Sequence, residues 1–476
     1  MEASVNRRNP KLRSACNRCY ELKERCERAT TSVYCARCRR LGLACSTARP
    51  VRVSRSAHDE KAVSRLSSGK CRRQQQHQPT IDSCLEVLSD QRPEERELLQ
   101  FLLGQAGSLD HYVVCPSFQI EQRQSLATQL RVASPLVKDA YLACASTLKQ
   151  LQSGIVTNKD VNISIAYISK AMCVLRSLPT LRSEDTVLWH ILGSMLAFSI
   201  YSAIGVGVSE ICRFCLGTTS SFLDTKVLGA PNDPWQNLLV LLETTDCLVY
   251  RRKPTVRIQV PALGTVDRHL GLSLPLLPHY HDLCAISSTL LHTTEVNTLA
   301  CLQKQIDDIQ SIVEPWQPYN LDQLVDQFDS AEIVHLLAQA KAYRLGVLLI
   351  GHRLRYTFGQ EDAQADIWSN EIMMELDMAY RVTKRPIRFV TLPFMIAALE
   401  VRDQDIRAKT LQRVDDCVEQ YSPLLQKTAK TFLTRIWCER DLNLTSPQLA
   451  RVVNGAPGTT RFLMRKRSRL YALLLL

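Results

Sequence analysis

CNRCYELKERCERATTSVYCARCRRLGLAC, residues 16–45, holds six cysteines in two copies of one spacing. Cys16-x2-Cys19 is followed six residues on by Cys26, and Cys35-x2-Cys38 six residues on by Cys45. A C-x2-C pair lets two thiolates of one turn reach a single soft metal ion, and a third Cys closes the site from the far end of a helix. Zinc takes four ligands in a tetrahedron, so six cysteines fill two sites only if two thiolates bridge both ions. By the symmetry of the repeat the bridges are Cys16 and Cys35. One ion then takes Cys16, Cys19, Cys26 and Cys35, and the other takes Cys16, Cys35, Cys38 and Cys45. The competing account is three disulfides in a secreted mini-domain. The opening stretch, MEASVNRRNPKLRSA, carries no apolar signal peptide, and the metal account is preferred.

The residues around these cysteines are cationic. Arg13, Arg18, Lys23, Arg25, Arg28, Arg37, Arg39 and Arg40 crowd a unit too small for an apolar core of its own. Such a density of charge predicts a phosphate-facing surface rather than a merely solvated one.

The stretch resembles the fungal zinc binuclear cluster family of transcription factors. The resemblance rests on all six cysteines, Ala15, Lys23 and the Leu-Gly-Leu-x-Cys ending at residues 41–45. It implies two zinc ions per chain, bridged by the first and fourth cysteines, and a first short helix in the major groove of double-stranded DNA. In that family a Lys four residues after the second Cys reads a CGG-like triplet; here that is Lys23, whose ammonium can donate to guanine O6 and N7. Arg25, Arg18, Arg37, Arg39 and Arg40 are then expected on phosphates, with Arg13 in the adjoining basic arm. Three features depart from the family pattern: Tyr20 stands where a basic residue is usual, Tyr34 where Pro is frequent, and Glu21 and Glu24 flank Lys23. They touch the triplet and the binding strength, not the metal ligands.

The charge of the whole chain obeys the same division. Of 59 Lys and Arg and 47 Asp and Glu, residues 1–73 hold 19 against 6, leaving a nearly neutral remainder of 40 against 41. The expected organisation is a basic arm (1–13), a small two-zinc, six-cysteine cluster domain with two short helices (14–46), a polar basic linker (47–90), a large all-α regulatory domain (91–453) and a basic, Leu-rich tail (454–476). The linker shows no sustained heptad, because Pro93 interrupts the apolar set around Leu85–Leu103. A homodimer therefore stays open without an evident coiled coil. Twelve further cysteines, Cys144, Cys173, Cys247, Cys284 and Cys417 among them, lie singly in apolar stretches, as buried free thiols of a reducing compartment do.

Beyond residue 91 the apolar spacing is helical and no strand-like alternation appears. Helices are predicted after Ser134-Pro135, through 162–178, and over 235–250, 283–313 and 331–356. Residues 187–208 carry no Asp, Glu, Lys or Arg and are long enough to span a bilayer. His190, the serines and the lack of an aromatic-plus-basic flank predict a central buried helix instead, and no membrane partner. The final LYALLLL is too short to span. Residues 266–287, 392–414 and 434–440 also resemble the fungal-specific helical regulatory region, over roughly 230–442. In that family the region controls the DNA-binding end.

Three other constellations are weaker. Cys212-x2-Cys215 is predicted to be core packing rather than a metal or redox pair. His279, His281 and Asp282 are read in a loop-like run after Pro278, without a third ligand. Asp307, Asp308, Asp415 and Asp416 read as solvated helix faces. No phosphate loop, nucleophile elbow or His-Glu-x-x-His occurs, so catalytic and cofactor-binding residues are none and an enzyme is not expected. The expected function is a nuclear, sequence-specific DNA-binding transcription regulator of RNA polymerase II type. It would recruit the transcription machinery or co-regulators. By family habit it would be an activator, of a secondary-metabolite gene cluster. The alternatives are a structural zinc module in a protein-interaction scaffold and a metabolite-sensing receptor acting through the helical domain.

Overall fold

The computed structural model describes Cys26, Cys35, Ala36 and Cys38 near the N-terminus. It also describes residues 92–441 apart from 106, 111, 154–157, 178–185, 204–207, 224–232, 261–265, 319–320 and 419–422. The chain divides into two compact units, residues 1–76 and 77–476.

In the second unit every regular element among the described residues is a helix, and β-pairing there amounts to the single bridge between Asp267 and Gly271. The helices are α1 (Pro93–Gly104), α2 (Gln119–Ser153), α3 (Asn158–Ser177), α4 (Thr186–Ala203), α5 (Val208–Leu223), α6 (Pro234–Tyr250) and α7 (Leu277–Leu290). They continue as α8 (Val296–Val313), α9 (Leu321–Gln327), α10 (Ser330–Arg355), α11 (Asp362–Thr383), α12 (Thr391–Glu400), α13 (Gln404–Cys417) and α14 (Pro423–Asp441). Helices α1 to α6 pack on one another around α2 and α4, and α8, α11 and α12 pack around α10. Helix α7, touching both α6 and α10, joins the two groups. One apolar core runs from Leu99 to Trp437, and a smaller cluster gathers Val114, Leu324, Phe328 and Leu336.

Local chemistry starts these helices. Asp233 caps α6, accepting from the N–H groups of Trp235 and Gln236, with Pro234 in the first turn where its missing donor costs nothing. Asp329 and Glu332 form a reciprocal capping box at the start of α10. The segments 392–414 and 434–440 meet at the end of α12. Trp437 Nε1 donates to the carbonyl of Ala398, and the Arg440 guanidinium donates to those of Leu399, Glu400 and Val401. Carbonyls that a helix C-terminus leaves without intrahelical donors are thereby satisfied by a helix far along the chain.

Helix α2 is two helical stretches that meet at a kink, Ala133 standing at φ −123°, ψ 29°, so the helix expected after Ser134-Pro135 does start at that step. The structure departs from sequence expectation at two other places. Residues 283–313 are not one helix. Helix α7 ends at Leu290 and α8 starts at Val296, and in the turn between them the Glu295 N–H donates to the Thr293 hydroxyl at 3.4 Å. The break lets Leu302, Ile306, Ile309 and Val313 turn inward as α8 packs on α10. Lastly, His279, His281 and Asp282 lie within α7, not in a loop, since Pro278 occupies its first turn.

Of the apolar segment 187–208, the part up to Ala203 lies in α4, whose Trp189, Ile191, Leu192, Met195, Leu196, Ala197 and Ile200 are core residues, and Val208 starts α5. Among the described residues one helix, α10, is long and apolar enough to cross a membrane, and 61% of that stretch is buried inside the fold.

Candidate metal centre and nucleic-acid interface

Three of the six cluster cysteines are described. Cys35 and Cys38 are buried and Cys26 is partly buried; none is in a disulfide. Ala36 and Cys38 are helical, so Cys35 sits at the entry of a helical turn. The Cys38 backbone N–H donates to Cys35 Sγ at 3.4 Å. An amide aimed at sulfur stabilises thiolate, the form a metal requires. This C-x2-C turn thus places two of the six cysteines together with one backbone amide on sulfur. In the bridged scheme Cys26 and Cys38 belong to different ions, so these three would not complete a site by themselves. Cys16, Cys19 and Cys45, and the expected DNA contacts Arg13, Arg18, Lys23, Arg25, Arg37, Arg39 and Arg40, lie outside the described residues. Among the described residues no group of three or more His, Cys, Asp or Glu is arranged to hold a metal ion.

Most thiols among the described residues of the second unit are buried. Cys212 and Cys215 are both buried in the core, and burial pushes the Cys215 thiol up to about 12 and Cys212 well above its usual range. Thiols held protonated are poor ligands and poor nucleophiles. Cys144, Cys247, Cys284 and Cys417 are likewise buried, whereas Cys173, Cys301 and Cys438 are exposed, contrary to the expectation of uniformly buried thiols. Asp282 is engaged by Arg257 through two hydrogen bonds of 2.8 and 2.9 Å, with His281 3.3 Å away. Of the four acids expected to be solvated, Asp307 pairs with Arg355 and Asp415 with Lys430, both on exposed faces.

Several interior polar groups carried no signal in the sequence. His190 is fully buried, its Nδ1 2.6 Å from Asp233 Oδ2 and its Nε2 2.9 Å from Thr219 Oγ1. Glu243, also fully buried, accepts from Thr255 N and Oγ1 at 3.0 and 2.5 Å. Asp246 Oδ2 and both ring nitrogens of His269 are buried without a hydrogen bond. Burial raises the Asp246 carboxyl to about 6 despite Arg252, and lowers His269 to about 4 despite Asp267. The partners of His190 lie 29 and 43 residues along the chain, a separation that no local pattern encodes.

An apolar cavity of about 70 Å³ lies between α4, α6, α10 and the start of α12. Its walls include Phe198, Leu238, Leu242, Tyr343, Phe389 and Leu392, and no charged side chain lines it among the described residues. Comparison with family models, with curated proteins and with solved structures finds no match for the chain.

Proposed function

We propose that the chain is a sequence-specific DNA-binding transcription regulator acting in the nucleus. Two zinc ions held by Cys16, Cys19, Cys26, Cys35, Cys38 and Cys45 fold its N-terminal unit. Lys23 reads guanine edges in the major groove, and Arg18, Arg25, Arg37, Arg39 and Arg40 bind phosphates, with Arg13 tracking the backbone beside them. The helical unit regulates this activity and recruits co-regulators. Control of a secondary-metabolite gene cluster is the biological role the resemblance favours. The observation that carries the proposal is the doubled C-x2-C-x6-C spacing set in dense positive charge. The buried Cys35–Cys38 turn with its amide on sulfur supports it. Zinc supplies the fold here and takes part in no reaction.

The test is binding of the zinc-loaded full chain to duplexes containing CGG and to scrambled duplexes. The proposal expects triplet-dependent binding. Lys23→Ala should cost about 1–3 kcal/mol and relax preference at the triplet, while Arg39→Ala should weaken all duplexes alike and flatten the salt dependence. Equal affinity for every sequence would leave the structural zinc module in a protein scaffold as the better account.

The apolar cavity favours a second, compatible role, in which the helical unit senses a small neutral metabolite. A bound inducer would raise the melting temperature of the chain in proportion to the logarithm of its concentration.

A further inference from the structure

The apolar cavity lies between the two helical groups that α7 joins. Phe198 comes from α4 and Leu238 and Leu242 from α6; across from them stand Tyr343 of α10, Phe389 and Leu392. Tyr112, Leu238 and Tyr343 are buried, whereas Phe198, Leu242, Thr245 and Phe389 are half-buried, so an apolar floor leads to a rim at the surface. The volume of about 70 Å³ is roughly half the ~150 Å³ of an apolar cavity that takes benzene, and about two water molecules' share of the liquid. It fits the last two or three carbons of a chain and excludes a ring.

The walls set the chemistry of the occupant. The Tyr112 hydroxyl donates to the Ser194 carbonyl at 2.9 Å, that of Tyr343 to the Phe389 carbonyl at 2.8 Å and that of Thr245 to the Leu241 carbonyl at 2.9 Å. These protons are engaged within the fold, and among the described residues no charged side chain lines the cavity. A charge brought to the floor loses its water with nothing to replace it, whereas an alkyl group gains packing contacts. Phe389 stands at φ 53°, a left-handed backbone that a bulky residue rarely takes. Strain of this kind gathers at ligand clamps, and here it sits in the cavity wall.

Resting on the metabolite-sensing role of the helical unit, we propose that this cavity binds the short alkyl end of an uncharged molecule, two or three carbons deep, with the rest of the molecule at the rim. The occupant touches α6 on one side and α12 on the other, and so ties the two helical groups together.

The experiment titrates the zinc-loaded full chain with the neutral 1-alkanols from ethanol to octanol, following occupancy by saturation-transfer NMR. The alkanoates of matching length and acetamide are the comparison probes. Affinity for the alkanols should rise about fourfold per added carbon and level off at three or four carbons, and the alkanoates should not bind. Leu392→Ala, which deepens the cavity, should move that limit two or three carbons further, and Leu242→Trp, which fills the rim, should abolish binding. Butanol should slow amide exchange in both α6 and α12. A rise that continues unbroken to octanol and survives Leu242→Trp is partition onto the surface and overturns the site, as does a limit that a folded Leu392→Ala chain leaves in place. Slowing in only one of the two helices overturns the tie. Acetamide bound more tightly than propanol overturns the alkyl class and leaves a neutral-metabolite sensor standing; binding of none of the probes overturns both.

Discussion

His190 and Asp233 meet at 2.6 Å in the interior, the imidazole fully buried and the carboxylate nearly so. The pair ties α4 to the start of α6, because Asp233 also caps α6 through its other oxygen. The second ring nitrogen of His190 reaches Thr219, so α5 joins the same junction. Asp233→Ala should therefore cost about 2–4 kcal/mol, the lost cap adding to a buried imidazole left without its partner. Asp233→Asn keeps cap geometry and should cost less. Urea unfolding of the two variants measures the difference.

Asp246 predicts a stability that falls as pH rises. Burial holds its carboxyl near 6 in the fold, above the value of about 3.9 in an unfolded chain. Between those values the folded state binds the extra proton, so raising the pH removes stability, to a limit of about 3 kcal/mol above pH 6. Asp246→Asn should be more stable than the parent at pH 8 and equal to it near pH 4. Chemical denaturation at the two pH values tests this.

His269 has the opposite sign. It stands between the rings of Trp235 and Phe389, each 5.9 Å away, and burial lowers it to about 4. The unfolded chain takes up this proton near pH 6.5, so the neutral imidazole's contribution is complete above that value. It is lost as pH falls toward 4. Between about pH 4 and 6 this slope opposes that of Asp246, so His269→Gln should leave a stability that falls as pH rises over that range, and adding Asp246→Asn should remove the fall.

Gly346 of α10 is required by a close approach. A Cβ there would collide with the hydroxyl of Tyr280, which donates to the Tyr343 carbonyl at 2.8 Å. Gly346→Ala should cost about 1–3 kcal/mol by overpacking, although alanine is the better helix former. Thermal melting of this single variant against the parent decides it.

Metal removal should act on one unit only. A strong chelator is expected to release two zinc ions per chain and unfold the cysteine-rich region. Melting of the helical unit, whose core contains no metal cluster among the described residues, should not shift. Cys35→Ser should mimic the chelator, because in the bridged scheme that residue serves both ions. Elemental analysis with paired melting curves reports both outcomes.

Much of the organisation was legible locally. The helical class followed from apolar spacing, since 3.6-residue periodicity is written within a dozen residues. Several boundaries were close as well, Ser330–Arg355 against 331–356 and Pro234–Tyr250 against 235–250, because caps and prolines act on their own turn. The cysteine spacing depends on nothing beyond thirty residues and carries the whole functional expectation.

Tertiary structure alone decided the rest. The partner of His190 lies 43 residues away and the donors at the end of α12 come from Arg440, separations that no local window contains. Helix α11 has apolar residues on two faces, and only packing shows that Ile372 and Leu376 are inside while Met374 and Met378 are out. A chain chooses among locally permitted backbones by the apolar area that distant helices can bury together, and that quantity exists only once they have met.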